Sequence, residues 1–206
     1  MDDYAIRSQQ RTGAAIDSGF YEREITPYTL ADGTVVSADD CPRPSTEREK
    51  LGSLSPVFRP TGRVTAGNAC PLNDGAAAVI VMSDTKAKAL GIKPLARIVS
   101  SGVSGLDPEI MGLGPIAASQ QALARAGMTI NDIDLVEINE AFAAQVIASA
   151  RGLGIDENRL NVNGGAIALG HPFGMTGARI MGTLINGLED SDKTIGLETM
   201  CVGGGQ

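Results

Sequence analysis

Residues 135–151 read LVEINEAFAAQVIASAR and set the fold class. The apolar-rich run from Leu135 to Ile138 predicts a buried strand, and residues 141–151 predict a helix that Gly152 ends. A strand followed directly by a helix is typical of an α/β fold. The same reading predicts four more strands and two more helices: strands at 78–82, 96–100, 161–163 and 195–201, and helices at 115–126 and 178–188. We therefore expect a mixed or parallel central sheet.

The first sixty residues have a different texture. Residues 2–20 predict a surface helix that Gly19 ends. Residues 27–60 lose periodicity and gather prolines and glycines, which predicts an extended, loop-rich segment. Residues 43–63 carry five basic side chains against Glu47 and Glu49, and this local charge suits an anionic ligand. An ordinary solvated loop is the alternative.

Composition excludes several classes of function. With 206 residues, a net charge of -7 and 3% aromatic residues, the chain lacks the basic surface and stacking side chains of a nucleic-acid binder. Its longest apolar run, residues 76–82, is far below the roughly 18 residues of a membrane span, and its start lacks the features of a signal peptide. Three scattered cysteines and a single histidine indicate a reducing, cytoplasmic location without a metal site. A small-molecule or protein partner fits best.

Three segments fall where predicted strands end, the place where open α/β sheets bind ligands. They are residues 139–142 (Asn-Glu-Ala-Phe), 170–172 (Gly-His-Pro) and 201–205 (Cys-Val-Gly-Gly-Gly). Each has an ordinary alternative: Asn139 as a helix cap, His171 as a packed histidine and Cys201 as a small core residue. Together, His171 and Cys201 are an imidazole and a thiol that can transfer protons in acyl chemistry.

Seven motifs, taken in order, identify a family resemblance. They are residues 64–69 (VTAGNA), 73–76 (NDGA), 111–115 (MGLGP), 139–142 (NEAF), 161–166 (NVNGGA), 170–172 (GHP) and 201–205 (CVGGG). In this order the chain resembles the C-terminal half and part of the loop region of a thiolase. The resemblance implies a thiolase-like βαβαβαββ half with a mixed central sheet. It also implies a loop and CoA-binding segment at residues 1–62 and a C-terminal domain at residues 63–206 that lacks its last strand.

The resemblance implies an acyltransferase that catalyses reversible Claisen condensation and thiolysis of 3-oxoacyl-CoA, as in fatty acid metabolism. CoA and acyl-CoA are its substrates, and no cofactor is expected. In such an enzyme His171 activates a nucleophilic cysteine, Asn139 holds a water in the first oxyanion hole, Cys201 is the acid/base and the Gly203 N–H serves the second oxyanion hole. The remaining implied contacts are Arg43, Phe58 and Ala66 with CoA, and Met111 and Phe142 with the acyl group. Cys70 replaces a serine that commonly touches the pantetheine.

Further expectations concern the chain as a whole. No segment resembles the nucleophile motif of the N-terminal half, and the chain stops in Gly-Gly-Gly-Gln after a predicted strand. We therefore expect part of a longer protein that is inactive in isolation and forms a dimer or tetramer when complete. A lone half should expose apolar surface. A non-catalytic thiolase-fold binding module and a lipid-binding relative of thiolases are the alternatives.

Overall fold

A computed structural model describes all residues, 1–206. The helices are α1 (Asp2–Asp17), α2 (Arg48–Gly52), α3 (Asp84–Ala89), α4 (Gly114–Ala126), α5 (Ala143–Leu153), α6 (Ala166–Leu169) and α7 (Phe173–Asp190). The strands are β1 (Tyr28–Thr29), β2 (Val35–Val36), β3 (Leu135–Ile138) and β4 (Gly196–Thr199), and short 3-10 turns lie at Phe20–Arg23, Pro108–Leu113 and Ile130–Asp132. None of the helices combines the length and apolarity needed to cross a bilayer.

Helix α1 forms where the sequence predicts it but is not a surface helix. It ends at Asp17, and Gly19 follows with a left-handed φ of 77°. One face is buried, although Ser8 and Thr12 on that face are polar. The surface expectation was wrong because polar side chains occupy the buried face, so the face has no apolar periodicity to detect. Helix α1 packs on α5 and α6.

The other predicted helices are confirmed within a few residues. Helix α4 begins at Gly114, one residue before the predicted start, and ends where Gly127 adopts a left-handed φ of 66°. Helix α5 is displaced by two residues from the predicted range. Helix α7 begins five residues earlier than predicted, directly after Pro172, and is the longest helix of the chain. The segment 27–60 is loop-rich as predicted, with only the β1–β2 pair and α2.

The sheet is smaller than predicted. Strands β3 and β4 pair in parallel, with Leu135 opposite Gly196 and Ile138 opposite Thr199. This confirms the α/β class, but the expected strands at 78–82, 96–100 and 161–163 are not formed. The first two form no strand and pair with no other strand, and Ile80 is 88% exposed. The third is reduced to one bridge between Leu160 and Val136, since Asn161 takes a left-handed φ of 45°.

A buried carboxylate joins α1 to the rest of the fold. Glu140, 1% exposed, accepts hydrogen bonds from Tyr4 Oη at 2.8 Å and Ser8 Oγ at 2.6 Å on α1. It also accepts from Asn161 Nδ2 at 2.9 Å and from the Ile167 N–H at 3.1 Å. A buried charge is tolerated only when its lone pairs are satisfied, and four donors satisfy this one. Glu140 therefore requires α1, the 161–165 turn and α6 to be in place together.

Removing this carboxylate should destabilise the protein strongly. We expect Glu140→Ala to lower the free energy of unfolding by about 3 kcal/mol or more, because four buried donors lose a charged acceptor. Urea denaturation followed by circular dichroism measures the change. The control is Glu157→Ala, which breaks an exposed ion pair with Arg7 and should cost under about 1 kcal/mol. Equal losses for the two variants would contradict the role assigned to Glu140.

A second acidic pair lies on the other side of the strand pair. Glu137 and Glu198 are register partners on β3 and β4. Burial raises the pKa of Glu137 to about 8 and that of Glu198 to about 7, and the Arg179 charge opposes both shifts. The three guanidinium nitrogens of Arg179 on α7 are buried without a hydrogen-bond partner. The pair therefore binds protons more tightly in the folded chain than in the unfolded chain.

This pair predicts that stability falls as pH rises. A raised carboxyl pKa favours folding below the unfolded value near 4.5, and that contribution is lost as pH rises through the folded values of about 7 and 8. We expect Glu137→Gln to gain stability relative to the wild type between pH 5.5 and pH 8.5, measured as the urea midpoint. Glu22→Gln, at an exposed carboxylate, should follow the wild type. Parallel pH profiles for Glu137→Gln and the wild type would refute the prediction.

Candidate active site

Two of the predicted site residues emerge side by side from the strand pair. Asn139 follows β3 and Cys201 lies two residues beyond β4, and the Asn139 N–H donates to the Thr199 carbonyl at 3.0 Å. Because β3 and β4 are parallel, their carboxyl ends meet at one edge, the place where open α/β sheets bind ligands. Asn139 is 1% exposed and Cys201 is 4% exposed.

The Asn139 amide has no partner within the chain. Neither Nδ2 nor Oδ1 makes a hydrogen bond, although both atoms are buried. The alternative of a helix cap is wrong, since α5 begins at Ala143 and Phe142 occupies the N-cap position. Buried amides are rarely left unpaired, so this side chain is suited to hold a group that is not part of the chain.

His171 lies in the turn between α6 and α7. Its main-chain N–H donates to Asn73 Oδ1 at 3.2 Å, and its ring nitrogen Nδ1 lies 2.6 Å from Thr176 Oγ1. The turn requires glycine at 170, because φ is 97° and a Cβ there would collide with the Asn73 side chain. His171 borders an open depression of about 370 Å³ that Leu72, Asn73, Asp74, Pro172 and Phe173 complete.

Helix α7 brings this turn to the same edge of the strand pair. The helix packs on β3 and β4, and a Cβ built on Gly177 would lie 3.9 Å from Met200 Sδ, beside Cys201. Burial, followed by the Arg179 charge, lowers the pKa of His171, so the imidazole is neutral at pH 7. Burial raises the pKa of Cys201, so the thiol keeps its proton. His171 therefore offers a neutral base, and Cys201 offers a protonated thiol.

Gly203 lies in the turn that follows Cys201. The N–H of Val202 donates to the Gln206 carbonyl at 2.8 Å, and the Gln206 N–H donates back at 3.1 Å. The Gly203 N–H donates to no group of the chain, and the residue is exposed. It is therefore available to a ligand.

Three predicted contact residues come together near the start of α5. The rings of Phe58 and Phe142 pack edge to face, with centroids 5.9 Å apart and planes at 74°. The Cys70 N–H donates to the Ala141 carbonyl at 3.1 Å. Burial raises the pKa of Cys70. Phe58 is exposed and the other two are half-buried.

The remaining predicted contacts are not joined to this group. Arg43 makes hydrogen bonds near the N-terminal helix: its main-chain N–H donates to Gln9 Oε1 at 2.6 Å, and Nη1 donates to the Cys41 carbonyl at 2.8 Å. Ala66 is exposed in the loop before Cys70, and Met111 is half-buried in the 3-10 turn that packs on α5.

Sequence reasoning missed the residues that hold the site. Glu140 and Asn73 stand in quoted motifs but carried no role, because a single sequence does not show which donors reach a side chain. Thr176 and Arg179 were missed altogether. The one available signal was the position of Thr176, four residues after Pro172, where a hydroxyl can bond back to the carbonyl at the start of a helix.

Family models match nearly the whole chain. The thiolase N-terminal domain model matches residues 1–85, and the thiolase C-terminal domain model matches residues 92–206. Acetyl-CoA acetyltransferase of Escherichia coli is 50% identical over 209 residues, which cover 100% of this chain and 53% of that protein. The 3-ketoacyl-CoA thiolase of a Shewanella species is 50% identical over 216 residues, covering 100% of this chain and 55% of the relative.

Solved structures of related proteins have the same fold as this chain. The acetyl-CoA acetyltransferase of Bacillus anthracis superposes with a TM-score of 0.96 at 46% identity, covering 99% of this chain and 52% of that one. Human mitochondrial 3-ketoacyl-CoA thiolase, solved in complex with CoA, gives a TM-score of 0.92 at 46% identity, covering 99% of this chain and 51% of that one.

The chain thus spans about half the length of the relatives it matches. The predicted thiolase-like fold is confirmed, whereas the predicted division at residues 62 and 63 stays a prediction. Both family models match, and His171, Asn139 and Cys201 lie in the C-terminal match. With the thiolase motifs in order and the fold shared with solved thiolases, the chain belongs to the thiolase family.

Proposed function

We propose that this chain supplies one side of the active site of a CoA-dependent acyltransferase, which catalyses reversible Claisen condensation and thiolysis of 3-oxoacyl-CoA. The observation that carries the proposal is the shared edge of β3 and β4. Asn139 and Cys201 emerge there together, and the Asn139 amide is buried without a partner in the chain. The names of the relatives, acetyl-CoA acetyltransferase and 3-ketoacyl-CoA thiolase, describe the same chemistry.

Carbon–carbon bond formation needs a base and a stabilised enolate, because the α-carbon of a thioester is a weak acid. Cys201 is the acid/base that removes or returns the α-proton in this proposal. Its raised pKa suits the resting, protonated state. The free Gly203 N–H lies two residues away and stabilises the enolate oxygen.

The acyl-transfer half of the reaction uses the other two residues. His171, held neutral by burial and by Arg179, accepts the proton of the nucleophilic thiol. Asn139 holds a water that donates to the thioester oxygen.

Neither Cys41 nor Cys70 is placed as the nucleophile. An activated cysteine has a lowered pKa, whereas burial raises the pKa of both of these thiols. In Cys41 the neighbouring Asp40 carboxylate, 3.6 Å from the thiol, adds to the shift.

CoA and acyl-CoA are the proposed substrates. Phe58, Cys70 and Phe142 form the patch that receives the pantetheine and acyl group, with Met111 and Ala66 at its margins. Arg43 and the basic side chains of its loop attract the phosphates of CoA. The CoA complex of the human mitochondrial relative supports this assignment, since that chain superposes on 99% of this one.

The setting of the enzyme is part of the proposal. We place it in the cytoplasm, in fatty acid metabolism, as a homodimer or homotetramer of complete subunits. Exposed apolar side chains support the burial of this surface in an assembly, since Leu72 is 96% exposed and Leu95 is 84% exposed.

A chimera tests the proposed chemistry. We replace the matching 209 residues of the Escherichia coli acetyltransferase with this chain and measure thiolysis of acetoacetyl-CoA. We expect activity, and we expect Cys201→Ala and His171→Ala to lower kcat by roughly 100-fold or more, since each removes a positioned acid or base. The matched control is Cys41→Ser, which should leave kcat unchanged.

Titration calorimetry with CoA separates the alternatives. A chimera that binds CoA but shows no thiolysis would favour the binding-module alternative over the proposed enzyme. An active chimera whose Cys201→Ala variant keeps full activity would remove Cys201 from the mechanism.

A further inference from the structure

The Thr176 hydroxyl touches two acceptor-capable groups at once. Its Oγ1 lies 2.6 Å from His171 Nδ1 and 3.0 Å from the Pro172 carbonyl oxygen. Thr176 is fully buried, so no solvent hydrogen bond competes with these contacts. A hydroxyl has one hydrogen to donate, so it can donate to only one of these two groups.

The Pro172 carbonyl decides the direction of both bonds. A carbonyl oxygen only accepts, and this one also accepts the Thr176 N–H at 3.1 Å. If the hydroxyl donated to Nδ1 instead, two oxygen lone pairs would face each other across 3.0 Å with no hydrogen between them. With the hydroxyl donating to Pro172, its own lone pair faces the ring, and Nδ1 must carry the hydrogen.

We propose that Thr176 is a positioning residue that holds neutral His171 in the Nδ1–H tautomer and leaves Nε2 as the free basic nitrogen. Nδ1 is the ring nitrogen that contacts Thr176, whereas the main-chain N–H of His171 donates to Asn73. The Phe173 ring, with its centroid 5.1 Å from that of His171, limits rotation of the imidazole. The tautomer follows from these contacts alone, and only the use of Nε2 as a base rests on the proposed function.

The single histidine of the chain makes the tautomer directly measurable. We label the 206-residue chain with ¹⁵N-histidine and record long-range ¹H–¹⁵N correlations at pH 7.5. We expect a protonated Nδ1 and an unprotonated Nε2 in the wild type. Thr176→Ser keeps the hydroxyl and should keep this pattern. Thr176→Val removes it, and the ratio of Nδ1–H to Nε2–H should fall by about fivefold, the effect of one ordinary hydrogen bond.

Three results would overturn the proposal: an Nε2–H tautomer in the wild type, an unchanged ratio in Thr176→Val, or a Thr176→Ser pattern that differs from the wild type. Circular dichroism confirms that each variant is folded. If Thr176→Val does not fold, the wild type and Thr176→Ser still decide the question. No substrate enters the experiment, so a chimera without thiolysis would refute the proposed function and leave the tautomer standing.

Discussion

The buried carboxylate of Glu140 ties helix α1 to the turn after Leu160 and to α6. A charge in the interior is unstable unless donors surround it, and the four donors come from segments far apart in the chain. Tyr4 and Ser8 come from α1, Asn161 from the turn after Leu160, and the Ile167 N–H from α6. The carboxylate thus couples the first helix to the C-terminal half more specifically than apolar packing can, because a displaced donor leaves a buried charge uncompensated.

The same network places the candidate site. Glu140 follows Asn139 directly, so satisfying the carboxylate also fixes where β3 ends and where the Asn139 amide lies. Asn161, which bonds Glu140, also bonds both the N–H and the carbonyl of Ile138 at 2.8 Å and so supports β3 from the side. Helix α6 leads within two residues to His171. On the opposite face, the buried Arg179 charge helps to keep His171 neutral while it attracts Glu137 and Glu198. The residues that stabilise the fold therefore also position Asn139 and His171.

Local patterns predicted the local features. Leu135–Ile138 forms a buried strand, as its three apolar side chains indicate. Helix α4 has a proline in its first turn and ends at Gly127, as predicted. Strands at 78–82 and 96–100 were predicted from apolar runs of the same kind, but a strand also needs a partner, and pairing is not local information. The burial of α1 was missed because Ser8 and Thr12 are polar. Motif order placed Asn139, His171 and Cys201, whereas Thr176 and Arg179 act through contacts that only the folded chain reveals.

In the function proposed above, the edge shared by β3 and β4 receives the reacting end of CoA. A crystal structure of the protein with CoA bound tests it most directly. We expect the CoA sulfur to lie between Cys201 and His171, with a water bridging the Asn139 amide to the ligand within hydrogen-bond distance. A CoA molecule bound elsewhere, or an Asn139 amide turned away from it to bond the protein, would refute this placement of the substrate.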